Sequence, residues 1–121
     1  MTKQTTELGQ QGEQAIAQWL TAHHFTILAQ NYRIKAGEVD VIARNGDLVI
    51  FVEVKTRSTS YFPISTVVTY SKQQKIGRAA QHFILKNRLF NHILRFDVAT
   101  LVKQSNGTFA IDYIENAFVP Q

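Results

Sequence analysis

The sequence predicts a mixed central β-sheet flanked by helices, an α/β or α+β fold in the order α-β-β-β-α-β-β. Two runs rich in β-branched residues, one on each side of Asn45-Gly46, mark a tight hairpin in the middle of the chain. Two segments, near residues 7–23 and 69–89, repeat apolar residues at three- and four-residue spacing, as amphipathic helices do. A second Asn-Gly pair, Asn106-Gly107, separates alternating runs near the C-terminus. At 121 residues the chain is expected to form one domain spanning residues 1–121.

The first helix is expected from Glu7, after Thr5 and Thr6, with Leu8, Ala15, Ile16, Trp19, Leu20 and His23 on its apolar side and Trp19 in the core. Glu13 follows Gly12 at the border of that stripe; taken alone, a helical glutamate is usually solvated. His23-His24 falls at the helix end, where adjacent residues point apart, and reads as surface. Residues 25–33 alternate weakly and suggest a strand, with a loop at 34–37 in which Gly37 relaxes the backbone.

The central hairpin occupies about residues 38–57. A two-residue turn at Asn45-Gly46 would set Arg44 opposite Asp47, Ile42 opposite Val49, Asp40 opposite Phe51 and Glu38 opposite Glu53. One face then carries Glu38, Asp40, Ile42, Val49, Phe51, Glu53 and Lys55. The other carries Val39, Val41, Ala43, Leu48, Ile50, Val52 and Val54 and is purely apolar. Like charges facing each other across a strand pair destabilise it. A divalent cation would remove that cost, and oxygen-only ligands suit Mg²⁺ or Mn²⁺. A solvated edge in which Lys55 offsets Glu53 accounts for the spacing equally well.

Residues 58–68 are rich in Ser and Thr, contain Pro63 and read as a long loop, with Tyr61 and Phe62 placed either to stack on bases or to pack on protein. The second helix begins at Thr69 or Ser71, where Ser71 and Gln74 suit a capping box, and ends near Asn87 or Leu89. Ile76, Ala80, Phe83 and Ile84 form its buried stripe. Lys72, Lys75, Arg78, His82 and Lys86 fall within an arc of roughly 120° beside it, a row able to track a phosphate backbone. Residues 93–102 alternate as a strand, in which Arg95 and Asp97 suit a structural ion pair, and residues 109–114 return from Asn106-Gly107.

Charge is unevenly spread. Between Val54 and Phe96 lie Lys55, Arg57, Lys72, Lys75, Arg78, Lys86, Arg88 and Arg95 and no acidic residue, whereas all nine acids lie elsewhere. This is the footprint of a surface that meets a polyanion, with a solvated basic helix as the plainer explanation. The absence of cysteine excludes disulfides and thiolate metal sites. No apolar run approaches the length of a membrane span and residues 1–14 lack a signal peptide's apolar core, so a cytoplasmic protein with no membrane partner is expected. No Gly-rich phosphate loop, nucleophile elbow or zinc-type His pair is present.

Gly37-Glu38-Val39-Asp40-Val41-Ile42, followed by Phe51-Val52-Glu53-Val54-Lys55-Thr56-Arg57, resembles the YraN-type family of small uncharacterised bacterial proteins. Gly12-Glu13, Lys72-Gln73, Arg95-Phe96-Asp97-Val98 and Asn116-Ala117-Phe118 extend the resemblance through most of the chain. That family is similar to the PD-(D/E)XK nucleases and, among them, to archaeal Holliday-junction resolvases. The resemblance implies a restriction-endonuclease-like fold and a metal-dependent endonuclease acting on nucleic acid, DNA first. Asp40 and Glu53 would hold Mg²⁺ or Mn²⁺, with the Val54 carbonyl as a third ligand, Glu13 from the first helix binding through water or completing a second site, and Glu38 in reserve. Lys55 would orient or deprotonate the attacking water, making Asp40, Glu53, Lys55 and Glu13 the catalytic set. Arg57, Lys72, Lys75, Arg78 and Lys86 would hold flanking phosphates.

Two other readings stay open: a non-catalytic nucleic-acid-binding module with a residual metal site, and an assembly partner whose basic face meets an acidic protein. A resolvase would need a homodimer to cut two strands symmetrically, and the sequence leaves the oligomeric state open.

Overall fold

Capping side chains fix where the helices begin. In the computed structural model, which describes residues 6–58 and 67–120, Thr6 caps α1 (Glu7–Ala22) by accepting the Gly9 N–H at 3.0 Å. Thr69, not Ser71, caps α2 (Tyr70–Asn87), accepting the Lys72 N–H at 3.2 Å. Arg88 closes α2 in the left-handed conformation, φ 56°. Between and after the helices run β1 (Thr26–Ile34), β2 (Gly37–Asn45), β3 (Leu48–Arg57), β4 (Ile93–Lys103) and β5 (Phe109–Ile114), giving the expected order. Thr5, Tyr61, Phe62 and Pro63 lie outside the described residues.

The five strands form one sheet in sequential order, antiparallel except for the parallel β3–β4 pair that α2 bridges. The sheet is therefore mixed. Its centre is buried on both sides, which is why β3 reads as an unbroken apolar run from Leu48 to Val52. On one face Ile16 and Leu20 of α1 pack on Val41, Ala43, Ile50, Val52, Val54, Ala99 and Leu101. On the other, Ile76, Ala79, Ala80 and Phe83 of α2 pack on Ile42, Val49 and Phe51. Ile84, expected in that buried stripe, is only half-buried, and Ala79 takes its place. Trp19 is half-buried at the core margin, stacked on Tyr113 and on the exposed His23.

The central hairpin differs from expectation in register. Its turn is Gly46-Asp47, and the strands pair Asn45 with Leu48, Arg44 with Val49, Ile42 with Phe51 and Val41 with Val52. Gly46 has φ 59° while Asp47 is not left-handed, the pattern of a turn with glycine in its first central position. The slip from the expected pairing is two residues, so side chains keep their faces but change partners. Arg44 no longer faces Asp47, and Glu38 no longer faces Glu53. The loop before β2 is also tighter than expected, a two-residue turn at Lys35-Ala36.

Alternation breaks at Asp40. Val39, expected with Val41 on the α1 side, packs instead with Ile42, Phe51 and α2. The break has a partner on β1. Asn31, between the Gln30–Val41 and Tyr32–Val39 pairs, sits at φ 51°, a conformation asparagine tolerates, and Tyr32 turns to the α2 side with Val39.

Candidate functional site

Among the described residues four acidic side chains are buried: Glu13, Asp40, Glu53 and Asp97. Asp97 is structural. Its carboxylate accepts Arg95 Nε at 2.9 Å and Nη2 at 2.9 Å, the Tyr113 hydroxyl at 2.6 Å and the Asn116 N–H at 2.9 Å. The Arg95–Asp97 pair is the expected one, while the bonds from Tyr113 and Asn116, which tie β4 to β5 and to the segment after it, were not foreseen.

Asp40 and Glu53 lie where β2 begins and β3 ends, and Glu13 is on the turn of α1 that packs near the end of β3. The β2–β3 ladder stops at Val41–Val52, one step before Asp40 would face Glu53. There the Asp40 carboxylate accepts the Val54 N–H through Oδ2 at 2.9 Å. In an extended strand one residue's N–H and C=O point to the same edge, so the Val54 carbonyl faces the same opening. Glu53 lies on the α2 side and forms a 2.6 Å ion pair with Lys72 Nζ. Glu13 comes from the α1 side. Gly12, its neighbour, lies so close to β3 that an added Cβ would be 1.8 Å from Thr56 Oγ1, which seats this turn of α1 against the strand three residues beyond Glu53. Lys55 and Arg57 are half-buried and, two and four residues beyond Glu53, are on the same face of β3 as Glu53.

The expected ligands are thus brought together in part. Asp40 and Val54 touch, and the register sets Glu53 next to them. Among the described residues no group of three or more His, Asp or Glu side chains is arranged to hold a metal ion. Glu38 is turned to Arg33 on β1, 3.8 Å away, rather than to Glu53. The donor chemistry still suits Mg²⁺ or Mn²⁺, which are held by one or two carboxylates together with waters and substrate phosphates. The Lys72 ammonium against Glu53 marks a place where positive charge is already accommodated.

The basic row divides. Lys75, Arg78, His82 and Lys86 are exposed along α2, and His82 Nδ1 shares a 2.5 Å hydrogen bond with the Tyr32 hydroxyl of β1. Lys72 is not on that outer face: it precedes Ile76, Ala79 and Phe83 at spacings of four, three and four, so it points at the sheet. That spacing is the sequence signal that could have assigned Lys72 to the acidic cluster. Among the described residues no helix is long and apolar enough to cross a membrane.

The profile of the uncharacterised protein family UPF0102 matches residues 12–101, from Gly12 past Glu13, Asp40, Glu53, Lys55 and Lys72 to Leu101. A UPF0102 protein of Alkaliphilus metalliredigens is 43% identical over 112 residues, covering 92% of this chain and 96% of its own. Another, from Geobacter metallireducens, is 37% identical over 119 residues, covering 98% and 97%. A third, from Clostridium acetobutylicum, is 39% identical over 120 residues, covering 98% of each. The chain belongs to the UPF0102 family. The relatives' names carry no activity, so the chemistry of a UPF0102 site has to be argued from side chains. Here the family match spans both walls of the acidic opening and the helix that covers it.

Proposed function

We propose that this UPF0102 protein is a divalent-metal-dependent nuclease that binds nucleic acid, DNA in the first instance, and hydrolyses phosphodiester bonds. The observation that carries the reading is the pair of buried carboxylates, Asp40 and Glu53, at a fork between neighbouring strands, beneath a helix whose outer face is basic. A buried, charged carboxylate is costly unless paired, and a pair of them beside cationic side chains suits a site that receives a metal and a phosphate together.

Asp40, Glu53 and the Val54 carbonyl would hold Mg²⁺ or Mn²⁺, with Glu13 reaching the opening from α1. The metal, when bound, would activate water, polarise the phosphorus and relieve charge on the leaving oxygen. Lys55 would orient the attacking water and stabilise developing negative charge. Arg57, Lys75, Arg78 and Lys86 would hold phosphates on either side without reading bases. Lys72 would leave Glu53 as the metal arrives and turn to a phosphate.

A second reading, a nucleic-acid-binding module without catalysis, is favoured by one observation. The Lys72 ammonium pairs with Glu53 at 2.6 Å, so one of the chain's own cations already offsets that carboxylate. Incubation with linear, single-stranded and four-way-junction DNA separates the two. The nuclease reading expects cleavage in Mg²⁺ or Mn²⁺, none in EDTA, and a loss of a hundredfold or more, on the order reported for removal of a key electrostatic or acid–base group, in Glu53→Gln and Lys55→Ala. Binding without cleavage supports the module. Cleavage unchanged in both variants would place the activity in another site or another protein.

A further inference from the structure

The turn between β1 and β2 closes against α2 and leaves a cleft of about 300 Å³ lined by Arg33, Ile34, Lys35, Ala36, Gly37, Glu38 and Lys75. We infer that this cleft is a phosphate-binding subsite that grips the nucleic-acid strand beside the acidic opening, with Lys35 and Lys75 as its ligating cations. The inference rests on the nucleic-acid reading above and adds to it a place, which joins Lys75 to a new residue, Lys35, on a turn that the sequence presented only as a loop.

Three features of the cleft point to phosphate. Its charge is the first. Arg33, Lys35 and Lys75 contribute three positive charges and Glu38 one negative, leaving two, and Glu38 is engaged by Arg33 at 3.8 Å. Lys35 and Lys75 are exposed, and neither pairs with an acid among the described residues. Two uncommitted ammonium groups on opposite walls of one concavity suit a ligand that is anionic on more than one side, as a phosphodiester is.

Rigidity is the second. A Cβ built on Gly37 would lie 1.9 Å from the Lys75 carbonyl oxygen and 2.7 Å from its carbonyl carbon, so the turn and the helix meet backbone to backbone. The two lysines are therefore carried by walls whose separation is set by main-chain contact rather than by side-chain rotamers. Only glycine allows that approach.

Position is the third. Lys72, whose ammonium meets Glu53, is three residues before Lys75, about 4.5 Å along the helix axis. Gly37 is three residues before Asp40, roughly 10 Å along β2. Both walls of the cleft therefore lead directly into the acidic opening, over a span comparable to the rise of about three phosphates along one strand of a duplex. A strand lying in the cleft would present its next phosphates to Asp40 and Glu53.

The test is the salt dependence of binding to fluorescently labelled single-stranded and duplex DNA, read by anisotropy in EDTA and again in Ca²⁺. Each phosphate contact contributes about 0.7 (single strand) to 0.9 (duplex) to the slope of log K against log salt. Lys35→Ala/Lys75→Ala should therefore bind more weakly, with a slope smaller by roughly 1.4 to 1.8. Lys35→Gln/Lys75→Gln, which keeps most of each stem, should behave alike, while Arg44→Ala at the opposite end of the β2–β3 hairpin should leave the slope unchanged. A wild-type slope retained by both double variants overturns the subsite and leaves the nucleic-acid reading intact. Wild-type protein that binds DNA in neither EDTA nor Ca²⁺ overturns both.

Discussion

Tyr113 shows how one buried acid governs its surroundings. Burial, and then the hydrogen bond to Asp97, pushes the phenol's pKa well up, and the same carboxylate's hydrogen bonds raise that of the Arg95 guanidinium. The sign of the linkage follows. Above about pH 10 the unfolded chain releases the Tyr113 proton while the folded protein keeps it, so the unfolded state binds fewer protons and stability falls as pH rises. The stabilisation is whole below about pH 10 and is lost as pH climbs toward the folded-state pKa. Tyr113→Phe removes a hydrogen bond to a charged group, expected to cost about 1.5–3 kcal/mol at pH 8. Melting the two proteins from pH 8 to 11 should show that gap closing above pH 10. A gap independent of pH would mean that the phenol ionises alike in both states. Neither this network nor the Lys72–Glu53 pair was written in local sequence. Residues 97 and 113 or 53 and 72 carry no mutual signal until the strands and α2 are placed.

At the scale of elements, the helices, their order and the β5 boundaries were legible because amphipathic periods and capping residues act within a few positions of one another. The hairpin register was not. Gly46 supplies a positive φ whether the turn is centred on Asn45-Gly46 or on Gly46-Asp47, and a two-residue slip leaves every side chain on its expected face. Hydrophobic pattern cannot choose between two such registers. The choice matters here, because the observed one draws Asp40 towards Glu53 and removes Glu38 from it. The contact between α2 and the β1–β2 turn was equally silent, since a glycine reports freedom and not what lies against it. Gly37→Ala should force the Lys75 carbonyl away from β2 and cost about 1–3 kcal/mol, as overpacking does. Urea unfolding would measure it, with the neighbouring exposed Ala36→Ser as the control within about 0.5 kcal/mol of wild type. A Gly37→Ala protein as stable as wild type would show that the helix and turn are not in backbone contact.

For the whole molecule, the sheet separates two tasks. The α1 side is closed by apolar packing and the Asp97 network, while the α2 side carries both the exposed cations and the acidic opening at its edge. Buried carboxylates need a balancing charge, and Lys72 Nζ meets Glu53 there at 2.6 Å. A divalent cation at Asp40 and Glu53, as proposed, would compete with an internal ammonium, and part of its binding free energy would go into displacing Lys72. Removing that competitor should leave a less stable protein with a stronger response to metal. In EDTA, Lys72→Met is expected to melt below wild type, because it removes the ammonium 2.6 Å from a buried carboxylate. In Mn²⁺ at about a hundredfold excess over Kd, binding to the folded state alone adds about 2.7 kcal/mol, on the order of 10 °C in Tm for a chain of this length. Lys72→Met should show a larger rise than wild type, and Asp40→Asn a smaller one. Equal, negligible shifts in all three proteins would mean that the strand fork holds no cation, and the hydrolytic reading would go with it, leaving a basic surface built around an internal ion pair.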